Sequence, residues 1–397
     1  MSVTGTQAAL SAFTTLRLGG PAAALAEARD EAELVAAVRE ADQAGEPVLV
    51  LGGGSNLVIA DEGFPGTVIR VATRGITIRP ATPADSVTPA SRAGAASRAD
   101  SASRADSASP GGDSDVIMTV AAGEPWDLLT ERTVAEGLAG LECLAGIPGL
   151  AGATPIQNVG AYGQEVAETI TQVRALDRHR GAIVTLSGAQ CAFGYRTSML
   201  KRAAAGQPTG RFVVLDVSFR LRRQPVTPVR YDQLASRLGV DPGARVSLDQ
   251  AREAVLALRR SKGMVLDPAD PDTRSAGSFF TNPILTAAQF ADLQHRAEAR
   301  CGPGTTVPHF PADPGAVKVP AAWLIERAGF TCGYPASADP AAPRISTKHT
   351  LALTNPGPGT TAGLMALAAE ITAGVRATFG VDLTNEPVLV GVSLPRA

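Results

Sequence analysis

The glycine-rich turn at residues 52–56 directly follows the apolar run Val48–Leu51, and it constrains the fold more than any other feature. Upstream, residues 30–45 have helical apolar spacing, with Asp30 as the N-cap, Glu33 completing a capping box, and Gly45 at the C-terminal end. A second apolar run at 68–71 predicts another strand. The segment therefore predicts a small α/β unit with a glycine loop directly after a strand.

Consecutive glycines after a strand allow the backbone to approach a phosphate and to direct several N–H groups at it. Ser55 and Asn56 add side-chain donors. The turn matches neither the dinucleotide fingerprint nor a Walker loop, so a tight structural turn and a phosphate-binding turn are equally good interpretations. A second glycine-rich region at 146–163 favours the second interpretation, because two loops that grip a pyrophosphate are a natural way to hold FAD.

The rest of the chain alternates between strand and helix patterns, which is typical of α+β proteins. Helices are predicted near 125–136, 251–260, 321–329 and 361–379, and strands near 116–120, 170–177, 181–186, 211–221, 346–353 and 387–392. Residues 83–115 break this pattern, because they are almost entirely Ala, Ser, Arg, Asp, Pro and Gly and contain SRADSA twice. We predict a disordered insertion on a surface loop there, with a binding or regulatory role as the alternative.

Length and composition limit the class of protein. A chain of 397 residues predicts two or three domains, and a formal net charge of −2 with mixed signs argues against a nucleic-acid binder. Four scattered cysteines without a CxxC pair predict neither a disulfide framework nor a metal site. Without signal-peptide features or an apolar run of about 18 residues, we expect a soluble, cytoplasmic protein with no membrane partner.

Three polar clusters contain the candidate catalytic groups. Arg196, in the sequence YRTS, is suited to stabilising a developing oxyanion, although a surface loop arginine fits equally. Ser278 and Asn282 flank an aromatic pair and are either held rigidly at a cleft or are ordinary turn residues. Glu386, before the last apolar run, is either an acid–base group or a carboxylate at the start of a strand.

Together these segments resemble one family, the UDP-N-acetylenolpyruvoylglucosamine reductases (MurB). The resemblance is carried, in the family's order, by FTTLRLGGPA (13–22), VLVLGGGSNLVIADEGFPGTVIRV (48–71), GLECLAGIPGLAGATPIQNVGAYGQEV (140–166), CAFGYRTSMLK (191–201), AGSFFTNPIL (276–285), VKVPAAWLIERAGF (317–330), ISTKHTLALTN (345–355) and NEPVLVG (385–391). It implies an α+β protein with a two-part FAD-binding fold of the vanillyl-alcohol-oxidase type and a C-terminal α+β substrate-binding domain. The implied division is 1–79 together with 386–397, then 80–262, then 263–385.

The resemblance also implies the roles of individual residues. Non-covalent FAD is expected to contact Gly52, Gly53, Gly54, Ser55, Asn56, Leu57, Gln157, Asn158, Gly160, Ala161, Tyr162 and Gly163. Arg196 and Glu386 are expected to flank the enolpyruvyl group, with Ser278 as the proton donor. Tyr195, Tyr231, Lys262 and Asn282 are expected to bind the substrate, and Lys348 or His349 lies near another substrate-contacting position.

The implied reaction is the NADPH-dependent reduction of UDP-N-acetylglucosamine enolpyruvate through bound FAD, in peptidoglycan precursor synthesis, by a monomer. The insertion at 83–115 and the missing proline before Glu386 depart from the family pattern. One rival is a flavin oxidase or dehydrogenase of the same fold acting on an alcohol or sugar. Covalent flavin attachment finds no support, because every His and Cys lies outside both glycine loops. The other rival is a non-catalytic module that binds nucleotide sugars.

Overall fold

Two main β-sheets and a mixed C-terminal region form the part of the chain that this computed structural model describes. The described residues are 3–4, 8–85, 115–204, 206–312, 314–336, 339 and 341–395. Most of the predicted insertion, residues 86–114, lies outside them. The helices of the described residues are α1 Glu31–Ala44, α2 Trp126–Ala135, α3 Met199–Arg202, α4 Asp232–Leu238, α5 Leu248–Ser261, α6 Ala287–Cys301, α7 Ala321–Arg327 and α8 Thr361–Phe379.

The first sheet contains the glycine turn. Its strands lie in the order Val3–Thr4, Ala22–Ala28, Phe64–Val71 and Val48–Leu51, and the last three are mutually parallel. Neighbouring residues of a strand point to opposite faces. Val48 accordingly packs on the side of α1, whereas Leu49 belongs to a separate cluster on the other side. The sheet is therefore buried on both faces, and its strand ends are held in place.

Helix α1 begins and ends close to the predicted residues. The Asp30 carboxylate accepts from the backbone N–H of Glu33 at 2.8 Å, and Gly45 closes the helix with a φ of 69°. The predicted capping box is wrong in one detail. The Glu33 carboxylate accepts from the N–H of Arg29 rather than from that of Asp30, so the reciprocal bond reaches one residue further back.

The second sheet is antiparallel. Its main strands lie in the order Ala182–Ser187, Ile170–Asp177, Phe212–Arg223, Val116–Ala121 and Ile76–Pro80, and Leu138–Ala139 pairs with the central strand. Both faces of the strand Phe212–Arg223 are buried, because Asp216 and Ser218 on one face are buried as well as Val213, Leu215 and Val217 on the other. Asp216 is paired with Arg174, and Ser218 shares a hydrogen bond with Thr119. The Ser218 hydroxyl is therefore satisfied inside the protein, whereas Asp216 is satisfied at one carboxylate oxygen only, and its Oδ1 has no hydrogen-bond partner among the described residues.

The C-terminal region has its own core. Ser275–Ser278, Ala352–Thr354 and Arg344–Ile345 form one small sheet, and Ile284–Thr286, Ala316–Lys318 and Phe310–Pro311 form another. The continuous strand predicted at 346–353 is wrong. Residues 346–351 form a turn, in which the Ser346 hydroxyl accepts from the N–H of Lys348.

Helix α8 is the long helix of the C-terminal region. By length and composition alone it is apolar enough to cross a membrane, although the sequence was expected to contain no such run. Its fully buried side chains, among them Leu364, Ile371 and Val375, pack into the core of this region. The helix therefore serves as a core helix in this fold.

The final strand returns to the first part of the chain. Val388–Val390 pairs in parallel with Leu57–Ile59, directly after the glycine turn. The smaller antiparallel pairs are Val226–Pro228 with Arg245–Ser247, and Gly160–Ala161 with Gln164–Glu165. The predicted boundary between residues 79 and 80 falls within the strand Ile76–Pro80, which already pairs in the second sheet. The division into domains stays a prediction.

Candidate functional site

The glycine turn packs directly against the second glycine-rich region. A Cβ on Gly53 would lie 2.7 Å from Cα of Gly149, which is closer than carbon atoms can approach. Gly54 has a φ of 60°, and a Cβ there would lie 1.9 Å from the carbonyl oxygen of Phe13. Glycine is therefore required at both positions for contact and conformation.

Two side chains join the loops. The Ser55 hydroxyl donates to the carbonyl of Pro148 at 2.9 Å, and the Asn56 amide donates to Oε1 of Gln157 at 2.9 Å. The predicted side-chain donors are thus used partly to join the loops. Among the described residues, the N–H groups of Gly53, Gly54 and Ser55 have no protein acceptor. Several unpaired N–H groups in one glycine turn provide donors for a pyrophosphate, so this site fits FAD.

The loop at 157–163 contains two residues in left-handed conformations, Asn158 and Tyr162, with φ of 50° and 49°. Asn158 is 1% exposed, and its side chain bonds to Glu165, to the Gly194 carbonyl and to the N–H of Ala167. Gly160 and Ala161 pair with Gln164 and Glu165, while Gly163 turns the hairpin with a φ of 80°. The loop is therefore fixed by its own polar groups.

Arg196 and Glu386 form an ion pair at the junction of the FAD loops and the C-terminal region. Nε of Arg196 lies 3.1 Å from Oε1 of Glu386, although its N–H is not aimed well enough for a hydrogen bond. Another guanidinium N–H, on Nη2, donates to the Gly160 carbonyl at 2.8 Å. The Gln157 amide donates to Glu386 at 3.4 Å. Two predicted catalytic residues are thus in contact with the predicted flavin loop.

Ser278 lies at the end of the strand Ser275–Ser278 and is partly buried. The next residue, Phe279, accepts from the backbone N–H of Glu386 at 2.8 Å. This bond holds the segment of the proton-donor candidate against the segment of Glu386. The structure therefore brings the three predicted catalytic residues into one region, from three separate parts of the chain.

Tyr195 and Asn282 are adjacent. The backbone N–H of Asn282 donates to the Tyr195 hydroxyl at 3.4 Å, and the Asn282 side-chain oxygen accepts from the N–H of Ala321 at the start of α7. Lys318, which the sequence analysis did not assign, places Nζ 4.6 Å from the centre of the Tyr195 ring. Burial raises the pKa of Tyr195 and lowers that of Lys318. Tyr195, Asn282 and Lys318 therefore form one contact group that links the Arg196 segment to the C-terminal region.

Tyr162, Tyr231 and Lys262 form a second polar cluster. The two rings meet edge to face with centroids 5.6 Å apart, and Nζ of Lys262 lies 5.9 Å from the Tyr162 centroid. Burial, with the positive charges of Lys262 and Arg259, lowers the pKa of His349 to about 4, so the imidazole lies within the electrostatic influence of this cluster. Lys348 instead pairs with Asp270 at 2.6 Å, in an exposed position.

Two further charged residues near the ion pair, Lys201 and Glu165, were not predicted from the sequence. Lys201 donates from Nζ to the carbonyl of Arg196 at 3.2 Å. Burial raises the pKa of Glu165, while its bond from Asn158 and the charge of Arg196 oppose that shift. Both residues lie inside the quoted motifs, but no spacing rule connects them with Arg196. Contacts that depend on a residue in the left-handed conformation cannot be predicted from residue type and spacing.

Models of known families match most of the chain. An FAD binding domain model matches residues 22–98 and 112–187. A model described as UDP-N-acetylenolpyruvoylglucosamine reductase, C-terminal domain, matches residues 268–390. Ser278 and Glu386 lie within the second match, whereas Arg196 lies between the two matched ranges.

Whole proteins and a solved structure are also similar. The UDP-N-acetylenolpyruvoylglucosamine reductase of Streptomyces coelicolor is 53% identical over 98% of this chain and 90% of the relative. That of Thermobifida fusca is 50% identical over 97% of each chain. The crystal structure of the reductase from Thermus caldophilus has a TM-score of 0.57 at 22% identity, covering 98% of this chain and 99% of that one; it supports the fold.

Proposed function

Because this chain belongs to the UDP-N-acetylenolpyruvoylglucosamine reductase family, we propose that Arg196, Glu386 and Ser278 are its catalytic residues. The enzyme is an FAD-dependent oxidoreductase that reduces UDP-N-acetylglucosamine enolpyruvate to UDP-N-acetylmuramate with NADPH, in peptidoglycan precursor synthesis. The predicted fold class is confirmed as an FAD-binding fold with a C-terminal reductase domain. The contact between Arg196 and Glu386 beside the flavin loop carries the proposal.

The FAD site is proposed at the two joined glycine loops. The free N–H groups of Gly53, Gly54 and Ser55 bind the pyrophosphate, and the loop from Gln157 to Gly163 lies along the flavin. Leu57 and Ala161 line this site, since each lies in a short strand at the edge of a loop. When bound, FAD accepts hydride from NADPH and supplies hydride to the enolpyruvyl double bond.

Arg196 stabilises the negative charge that grows on the substrate. When hydride adds to the terminal carbon, charge develops on the neighbouring carbon and spreads into the adjacent carboxylate. A guanidinium already held by Gly160 and Glu386 needs little reorganisation to meet it. One preorganised donor of this kind is worth about 100–1000-fold in rate. Glu386 orients the guanidinium and lies beside the enolate as it forms.

Ser278 completes the reduction by donating a proton to the charged carbon. Among the described residues its hydroxyl donates to no protein acceptor, so its proton is not committed to another group. A carbanion is a strong base, and a neutral hydroxyl is acidic enough to protonate it. One hydride and one proton thus convert the enolpyruvyl group to a lactyl group.

Tyr195, Tyr231, Lys262 and Asn282 are proposed to bind the nucleotide sugar. Lys262 is half-buried, and burial lowers its pKa. An anionic diphosphate beside it would stabilise the charged ammonium and offset this effect. Tyr231 is 44% exposed at the start of α4 and is free to cover the bound nucleotide. We further propose a cytoplasmic monomer without a nucleic-acid or membrane partner, divided as predicted into three parts. Light scattering at micromolar concentration tests the monomer.

The test separates the two half-reactions. The enzyme is reduced with one equivalent of NADPH without oxygen in D2O, and UDP-N-acetylglucosamine enolpyruvate is then added while the flavin absorbance is recorded. Rapid reoxidation, with one solvent deuterium on the lactyl carbon beside the carboxylate, supports the assignment. A flavin that stays reduced with this substrate contradicts it. Flavin released by acid precipitation checks that the cofactor is not covalently attached.

A further inference from the structure

The active-site arginine lies in an unusual backbone conformation. Arg196 has a φ of 51°, which non-glycine residues seldom adopt. On either side of it, Gly194 and Thr197 exchange two backbone hydrogen bonds of 3.0 and 3.2 Å. The Arg196 carbonyl takes no part in these two hydrogen bonds. The direction of the guanidinium depends on keeping this conformation, because a change of φ at Arg196 swings its Cα–Cβ bond away from Glu386.

Lys201 holds that carbonyl. Its Nζ donates to the Arg196 oxygen at 3.2 Å, and this is the only hydrogen bond to that oxygen among the described residues. The backbone of Lys201 is fixed as well. The Ser198 hydroxyl accepts from its N–H at 3.2 Å and donates to the carbonyl of Ile156 at 2.5 Å. The lysine is therefore anchored at both ends, against the same loop that carries Gln157.

The charge of Lys201 also acts on the ion pair. Burial lowers the pKa of its ammonium, the carboxylate of Glu386 raises it, and the guanidinium of Arg196 lowers it. The lysine thus lies within the field of both catalytic charges. Burying part of an ammonium costs free energy, and the bond to the Arg196 carbonyl offsets part of that cost.

We propose that Lys201 is a positioning residue, whose bond to the Arg196 carbonyl keeps the guanidinium beside Glu386 and in place for the carboxylate of the enolpyruvyl group. The inference rests on the proposed roles of Arg196 and Glu386. Lys201 acts through Arg196 and contacts neither flavin nor substrate. Its effect is therefore confined to the half-reaction in which charge develops on the substrate.

The test compares three variants with the wild type by stopped-flow absorbance. Lys201→Met removes donor and charge at similar length, and Lys201→Arg keeps both. Arg202→Met is the matched control, because this neighbouring cation on α3 is exposed and bonds neither the Arg196 carbonyl nor Glu386. Its donors reach the carbonyl of Ala192 at 2.9 Å and, more weakly, the hydroxyl of Thr197 at 3.5 Å. We expect Lys201→Met to slow reoxidation by saturating substrate about 10- to 100-fold. Flavin reduction by NADPH should stay within about twofold, Lys201→Arg should recover most of the loss, and Arg202→Met should match the wild type.

A double-mutant comparison decides whether the effect passes through Arg196. In an Arg196→Met background, adding Lys201→Met should slow reoxidation by no more than about twofold, because the guanidinium to be positioned is gone. Effects that multiply, or a Lys201→Met enzyme with wild-type reoxidation, would overturn the proposal. Equal slowing of both half-reactions would do so too, since that points to a general loss of structure. If Arg196→Met alone reoxidises normally, the proposed role of Arg196 fails instead.

Discussion

The backbone N–H of Glu386 donates to the carbonyl of Phe279 at 2.8 Å, one residue after Ser278. The bond connects a late segment of the chain to the strand that carries the proton donor. The two candidate catalytic residues therefore keep their relative position through the main chain, and neither depends on a flexible side chain for its placement. Substitution of either side chain is expected to change chemistry more than structure.

Replacing Ser278 with alanine should separate the two half-reactions. We expect flavin reduction by NADPH to stay near the wild-type rate, while reoxidation by the enolpyruvyl substrate slows about 100-fold or more, because the proton donor is missing. Anaerobic stopped-flow absorbance measures both rates. Ser236→Ala, on the exposed face of α4, is the control and should behave as wild type. Reoxidation of the Ser278 variant at the wild-type rate would remove this serine from the mechanism.

Gly53→Ala should weaken the joint between the FAD loops, because the new methyl group would lie 2.7 Å from Cα of Gly149. Overpacking of this kind costs roughly 1–3 kcal/mol, so we expect FAD affinity to fall about tenfold or more. Gly52→Ala is the matched control in the same turn, since its methyl group would meet only Leu150, at 3.7 Å. Titration of the apoproteins with FAD, followed by flavin fluorescence, measures the affinity. Equal affinities for the two variants would contradict the predicted close contact.

Tyr231→Ala should raise the KM for the nucleotide sugar about three- to tenfold and leave kcat nearly unchanged, because the ring packs on Tyr162 and contributes to binding rather than to chemistry. Steady-state kinetics at fixed NADPH measure both constants. Tyr231→Phe keeps the edge-to-face contact and should remain close to wild type. A large loss of kcat with unchanged KM would assign this tyrosine a different role.

His349 should make the stability of the protein depend on pH. Burial lowers its pKa to about 4, from an ordinary value of 6.5. Between these values the unfolded chain binds the proton and the folded chain does not, so the free energy of unfolding falls as the pH drops from about 6.5 to 4, by up to roughly 1 kcal/mol per pH unit. His349→Gln should lose this component. We expect the difference in Tm between the variant and the wild type to shift in favour of the variant between pH 7 and pH 5, and a constant difference would contradict the assignment.

Local sequence patterns predicted those elements whose boundaries depend on local signals. Asp30 and Gly45 delimit α1 through bonds within a few residues, and Thr361–Phe379 matches its predicted range. The strand predicted at 346–353 was wrong because a side-chain hydrogen bond stabilises a turn there instead. The Thr347 hydroxyl donates to the carboxylate of Asp272, which is far away in the chain. No local pattern contains such a partner.

The candidate site was predictable as a set of residues but not as a geometry. Motif order located Arg196, Ser278 and Glu386 on the chain, and the structure places Arg196 in contact with Glu386 and the segment of Ser278 beside it. The roles of these residues stay predictions. Lys201 and Lys318 escaped notice because their contacts arise from a left-handed backbone and from a strand of the C-terminal region. Neither contact follows from residue type or spacing.

The parallel pairing of Val388–Val390 with Leu57–Ile59 has a consequence for biosynthesis. Val390 is buried in the same hydrophobic cluster as Leu49, Leu51 and Ile59. This cluster is therefore incomplete until residue 390 has left the ribosome. A nascent chain that has emerged only through α8 exposes that apolar edge. The last strand is therefore needed to complete the core on this face of the first sheet, and contacts between such distant segments form slowly. Chaperone binding to ribosome-stalled chains should thus persist until this strand emerges.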